Sequence, residues 1–240
     1  MLEWHRGRSA IDMVERDDGL LVANQSAPML FAPLRRWPAP EREAMHLVRG
    51  DVLDVGCGPG RVALHVQSQG HRVTAIDVSP LTVRVARERG VRDCRVLSLD
   101  EVGSPLGAFD TVTMLGNGFG LLRSRRDATR LLGRLSAVTS AEARILTSTL
   151  DVYETTDPVH LAYHARNRAR GRMAGQLRVR IRHRHYATPW HDFLMVSRAE
   201  LAELAAAGGW CLERTFGDGA FYVAVLAKVT GPASGRAPGR

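Results

Sequence analysis

The residues best suited to chemistry stand together in Asp51-Val-Leu-Asp-Val-Gly-Cys-Gly-Pro-Gly60. Glycines at alternate positions, Gly56, Gly58 and Gly60, let a chain turn sharply and let a ligand press against bare backbone. Asp54 adds a carboxylate two residues before the first of them. The phosphate-cradling spacing G-x-G-x-x-G would need a glycine at 61, and Arg61 stands there instead. Asp77 ends the apolar run Arg72-Val-Thr-Ala-Ile76, where an acid can accept hydrogen bonds from both hydroxyls of a ribose. Candidates for proton transfer lie later, at Tyr153, His164 and His191. His160 and His164 are four apart and share a helix face. No third ligand accompanies them, so no metal is expected. His191 and Asp192 point oppositely on an extended chain and do not form a dyad with each other, though either can face a pocket.

Strand and helix patterns alternate around these residues, which signals a parallel sheet covered by helices on both faces. The pattern predicts strands at about 51–55, 72–76, 94–99, 110–115 and 143–150, and helices at about 61–69, 80–89, 125–136 and 198–207. Ser79-Pro80 suits a helix start, as do Ser124-x-x-Asp127 and Ser197-x-x-Glu200. Gly90 and Gly208 suit helix ends. Trp210–Thr215 and Phe221–Val229, joined through Gly217-Asp-Gly219, read as a hairpin. Residues 1–46 carry two weak helical stretches between prolines and are expected to form an N-terminal helical cap. Residues 151–196 are too long for a structureless loop. Their first half reads as helix. Their second half, Gln176–Tyr186, alternates as a strand with Arg178, Arg180, Arg182 and Arg184 on one face, and Phe193–Val196 is expected to pair with it.

The glycine string, the run Val-Thr-Ala-Ile-Asp77-Val-Ser-Pro and the segment Gly107-Ala-Phe-Asp110-Thr-Val-Thr-Met-Leu-Gly116-Asn117 resemble, in order, three motifs of the class I S-adenosylmethionine (SAM)-dependent methyltransferases. The resemblance covers residues 45–150 and, more loosely, 197–229. It implies an α/β fold: a seven-stranded, mostly parallel, doubly wound sheet with an antiparallel last strand. The SAM-binding core would be 47–229, with 151–196 inserted as a substrate lid. It implies SAM as cofactor, leaving as S-adenosyl-L-homocysteine, with contacts at Asp54, Gly56, Cys57, Gly58, Asp77, Val78, Leu99, Asp100, Leu115, Gly116 and Asn117. In that scheme Asp54 lies near the methionine ammonium and Asp77 takes the ribose. Leu99 and Asp100 serve the adenine, although counting back from Phe109 puts Ser98 in the family's acidic position. The implied reaction is methyl transfer to oxygen, nitrogen or carbon of a small-molecule acceptor. The alternatives are an RNA methyltransferase and a non-catalytic SAM-fold binding protein.

Composition bounds the rest. The 240 residues suit one domain with a lid. No apolar run is long enough to span a membrane, and the charged start lacks a signal-peptide core. Cys57, Cys94 and Cys211 are far apart in the chain and read as buried thiols of a reducing, cytoplasmic compartment. The net charge is +8, yet all but one of the 33 basic residues are arginine, which reads as codon bias, and no specific nucleic-acid partner is expected. Residues 230–240 lack apolar periodicity and read as a disordered tail. Oligomeric state is open.

Overall fold

In the computed structural model, residues 1–8, 11–24 and 26–229 are described; the tail read as disordered lies outside them. The strands are β1 (Asp12–Arg16), β2 (Leu21–Asn24), β3 (Val52–Val55), β4 (Val73–Asp77), β5 (Cys94–Val96), β6 (Phe109–Met114), β7 (Thr139–Leu150), β8 (Gln176–His183), β9 (Tyr186–Ala187), β10 (His191–Leu194), β11 (Trp210–Phe216) and β12 (Phe221–Lys228). The helices are α1 (Leu2–His5), α2 (Ala27–Leu30), α3 (Ala39–Met45), α4 (Arg61–Ser68), α5 (Pro80–Glu88), α6 (Arg125–Ala137), α7 (Pro158–Ala169) and α8 (Arg198–Ala207).

The main sheet has seven strands in the order β11-β12-β7-β6-β3-β4-β5. Its strands β3 to β7 run parallel, and β12 lies antiparallel between β7 and β11. Each face buries its own apolar layer. Leu131, Leu135, Leu201, Leu204 and Tyr222 belong to one. Ala44, Val62, Val66, Val83 and Ala86 belong to the other. A fully buried aliphatic side chain contributes about 1.5–3 kcal/mol, so these layers fix the crossover helices. The helix starts are as the sequence spells them. Ser79 accepts from the Thr82 N–H, Ser124 from Asp127, and Ser197 forms a reciprocal box with Glu200. Each such cap stabilises by about 1 kcal/mol.

A second sheet, β10-β8-β1-β2 with β9 beside β8, sits apart from the first. It joins the inserted segment to the N-terminal one. Residues 12–24 are therefore a strand hairpin rather than part of a helical cap, although α2 and α3 do follow it. The reason is partnership at long range: β1 is laddered on one side by β2 and on the other by β8, with Glu15 opposite Arg180 and Val14 opposite Ile181. Its backbone groups are satisfied from both sides, which outweighs weak local helix preference.

Candidate cofactor and acceptor site

The turn after β3 takes the shape its glycines allow. Gly56, Gly58 and Gly60 have φ of +67°, +55° and +82°. A Cβ at Gly56 would stand 2.6 Å from Leu121 Cδ1, whereas one at Gly58 would meet no heavy atom within 4 Å. Backbone at Gly58 thus fronts open space. Asp77, at the end of β4, accepts from the Gly58 N–H at 3.0 Å and from the Ser79 N–H at 2.9 Å. Burial raises its pKa. Val78 beside it is exposed, an apolar surface at the rim of the same turn.

Asp54 is 2 % exposed. Its Oδ1 accepts from the Thr113 hydroxyl at 2.8 Å, and its Oδ2 has no partner. Burial pushes its pKa up to about 6. Across the turn stands a network the sequence did not disclose. Arg61 Nη2 donates to Glu41 Oε2 at 2.8 Å, and Glu41 Oε1 accepts from the Gly116 N–H at 2.8 Å and the Ser148 hydroxyl at 3.2 Å. The Ser148 hydroxyl in turn accepts from the Asn117 N–H. The Arg61 guanidinium stacks 4.2 Å above the Trp37 ring. Glu41 and Arg61 are both buried. Two further atoms of this region are buried without partners, Arg61 Nη1 and Asn117 Oδ1. Leu115, Gly116 and Asn117 make the corner after β6, with Gly116 and Asn117 both in the left-handed region.

The adenine expectation meets an obstacle. Leu99 packs into the core, and Asp100 is held by a fork from Arg123 at 2.8 and 3.0 Å and by Arg130 at 2.6 Å. Those charges hold the Asp100 pKa down to about 2. Its carboxylate ties the turn at Leu99–Glu101 to α6. Cys57 and Cys94, read as distant thiols, are side by side, with sulfurs 3.7 Å apart and both buried. Cys211 alone is exposed.

A cavity of about 330 Å³ opens past the end of β7, under α7 and the second sheet. Its walls include Leu150, Val152, Leu177 and Met195, and its polar groups are Arg16, Asp151, Glu154, Thr155, His160 and His164. Leu150 is two residues beyond Ser148, so the cavity adjoins the Gly116–Asn117 corner along one strand. Of the three expected proton-transfer residues, only His164 lines it. The Tyr153 side chain turns outward instead, half exposed, and its phenol donates to Glu200 Oε1 at 2.8 Å. Burial and that carboxylate push its pKa up to about 12. Tyr153 thus anchors the chain to the start of α8. His191 is exposed, with Nδ1 3.3 Å from the Pro189 carbonyl. Spacing pointed to His160 and His164 as a pair, and nothing in it pointed to Arg16 or Glu41, each of which has one partner more than 100 residues away in the chain, His160 and Ser148 respectively. No group of three metal-ligating side chains occurs among the described residues.

A methyltransferase domain matches residues 52–141, the strands that carry the turn and the corner. Among curated proteins, the ubiquinone biosynthesis O-methyltransferase of Xanthomonas euvesicatoria is 34% identical over 113 residues, 45% of this chain and 46% of that protein. The match thus spans about half the length of that curated relative. Among solved structures, a SAM-dependent methyltransferase of Bacteroides fragilis in complex with S-adenosyl-L-homocysteine aligns with a TM-score of 0.80 and 26% identity, over 95% of this chain and 92% of that one. The 1,6-didemethyltoxoflavin-N1-methyltransferase of Burkholderia thailandensis shares the fold, with a TM-score of 0.56 and 21% identity over 85% of this chain and 82% of that one. The matched domain lies on the strands of the glycine turn, and the Bacteroides structure follows the chain through the inserted segment as well as the core, so what this chain resembles throughout, and whose fold it has, is the class I SAM-dependent methyltransferases.

Proposed function

We propose that this protein transfers the methyl group of SAM to a small-molecule acceptor and releases S-adenosyl-L-homocysteine. The observation that carries this reading is the set of unmatched buried atoms around the turn: two acceptors, Asp54 Oδ2 and Asn117 Oδ1, and one donor, Arg61 Nη1. An amino-acid zwitterion supplies their complements, an ammonium for the acceptors and a carboxylate for the donor. A buried polar atom left without a partner costs about 1–3 kcal/mol, so a ligand that matches all three gains affinity from each. Asp77 is placed for the ribose and Val78 for the apolar face of the base. Bound, the cofactor supplies a methyl already activated by a sulfonium. The protein's own work is then to fix the acceptor in line, exclude water and take up a proton where the acceptor carries one. The second sheet and α7 supply the walls, and His164 the proton acceptor. The name of the curated relatives, which is that of a small-molecule O-methyltransferase, supports an acceptor of that class.

Isothermal titration tests the reading. SAM and S-adenosyl-L-homocysteine are expected to bind in the micromolar range, about −8 kcal/mol. Asp77→Ala should weaken both by about 1.5–3 kcal/mol, as loss of a charged acceptor does. Absence of SAM binding by the wild type, or tighter binding of NAD, would sink it.

A further inference from the structure

The cavity beside β7 contains an arrangement that the general methyl-transfer reading does not require. Arg16, 5 % exposed, reaches from β1 and forks onto Asp18 at 2.8 and 2.7 Å. Its Nη1 lies 2.9 Å from His160 Nδ1. A guanidinium only donates, so Nδ1 is the acceptor and the ring's hydrogen sits on Nε2. His160 therefore offers the cavity a donor of fixed identity. One helical turn on, His164 is 4 % exposed, lines the same cavity and has no hydrogen bond to its ring among the described residues. Residues four apart on a helix have Cβ atoms about 5–6 Å apart. The cavity therefore presents one fixed N–H and one free imidazole on the same wall, between apolar sides formed by Leu150, Val152, Leu177 and Met195.

We propose that His160 and His164 read a donor–acceptor pair on the methyl acceptor: a proton-bearing oxygen or nitrogen, which His164 engages, beside a lone-pair atom that the His160 Nε2–H binds. The substrate class is a compact, flat, mostly apolar molecule carrying an O–H or N–H next to a carbonyl. The proposal rests on the methyltransferase reading. In the transfer step the heteroatom's lone pair forms the new bond to the methyl carbon, the carbon–sulfur bond breaks with its electrons passing to sulfur, and the heteroatom's proton passes to His164. Arg16 acts through His160 and is a positioning residue. The titratable and charged groups facing His164 are Arg168 and the neutral His160 ring on α7, Arg16 on β1 and Glu200 on α8, with Asp151 and Glu154 also on the cavity wall. Burial, then the Arg168 charge, lowers the His164 pKa, which keeps the ring unprotonated at neutral pH.

Two measurements on the full chain test this without the native acceptor. Long-range nitrogen–proton NMR of imidazole-labelled protein should show His160 with its hydrogen on Nε2 and His164 unprotonated at neutral pH. A tautomeric mixture at His160 would overturn the proposal. The second measurement is fragment binding, followed on the same ring signals. 2-Hydroxyacetophenone (O–H beside carbonyl) and 2-pyridone (N–H beside carbonyl) should bind and shift both histidines. Acetophenone and 2-methoxypyridine, which lack the proton, should bind about tenfold more weakly, the equivalent of one hydrogen bond. Whichever of the first pair binds more tightly identifies the nucleophile as oxygen or nitrogen. His160→Gln can still accept from Arg16 and donate to the fragment, so it should retain binding, whereas His160→Leu should lose about tenfold. Equal binding of all four fragments, shifts confined to other residues, or equal loss in both His160 variants would overturn the proposal. Because SAM binding is measured separately, failure here with SAM binding intact leaves the methyltransferase reading standing.

Discussion

On the proposed assignment of Asp54 to the cofactor ammonium, a carboxylate whose pKa lies near 6 makes binding depend on pH. Asp54 has its folded pKa raised above the ordinary value of 3.8, chiefly by burial. The ammonium of SAM favours the ionised form, so affinity should rise as pH climbs through about 6 and level off above it. At pH 5 about nine-tenths of Asp54 is protonated, so binding should be about tenfold weaker than at pH 7.5. Asp77 is raised in the same direction and adds to the slope. Titration calorimetry at the two pH values checks this, and Asp54→Asn should remove most of the slope. A wild-type affinity flat across the range would overturn the assignment. In the ligand-free protein the sign is opposite. A raised carboxylate pKa favours the folded state fully below about 3.8, and that favour is lost as pH rises through about 6, on the order of 3 kcal/mol for this fully buried group. Gly58→Ala addresses the same cradle. Its φ of +55° strains a side-chain residue by roughly 1–2 kcal/mol, and the new methyl enters open space where the proposed cofactor would lie. The variant should stay folded by circular dichroism and lose SAM affinity far beyond that strain. The shape of this turn was legible because glycine and acid spacing is local. Tyr153 was misread because sequence places it after a strand but cannot say which way the side chain turns.

At the scale of elements, α3 matters beyond its seven residues, because it carries Glu41 to the corner at Gly116. Trp37 fixes the approach to that helix. It is 2 % exposed, its Nε1 donates to the Ala32 carbonyl at 2.9 Å, and its ring lies under Arg61. Trp37→Ala should destabilise by about 3–5 kcal/mol in urea unfolding. It should also weaken SAM binding, since Arg61 and Glu41 lose their support. A destabilised variant with unchanged affinity, measured where it is still folded, would separate α3 from the cofactor site. The core elements were readable in advance because α5, α6 and α8 each announce their start with a serine cap, α4 follows the glycine turn, and strands such as β3 and β4 are short apolar runs. The expected 94–99 strand stops at Val96, where Ser98 and Glu101 close a capping box and turn the chain. The hairpin of β1 and β2 was not readable. Both strands are short, β2 has no buried residue, and their ladder depends on β8, more than 150 residues later.

The whole molecule carries a net charge of +8, and a basic protein of this fold invites an RNA substrate. The distribution of that charge argues otherwise. The arginine face of β8 is interleaved with acids from its neighbours in the sheet. Arg180 and Arg182 both meet Glu15 on β1, and Arg178, with Arg172, meets Asp192 on β10. The ladder puts Arg180 directly opposite Glu15 and Arg178 directly opposite Asp192. The two arginines on Glu15 hold its pKa down to about 2, so the acid stays ionised at any pH an RNA would meet. Opposite charges directly across a ladder support the sheet and leave little field for phosphates. Binding to RNA near physiological salt should therefore be weak and indifferent to sequence. It should also fall steeply with added salt, as counterion release requires. Filter binding at two salt concentrations decides the point. Glu15→Gln serves as a positive control, since unmasking Arg180 and Arg182 should raise the nonspecific affinity and steepen its salt slope. Sub-micromolar binding by the wild type, with a preference for one sequence or fold of RNA, would move the acceptor from small molecules to nucleic acid.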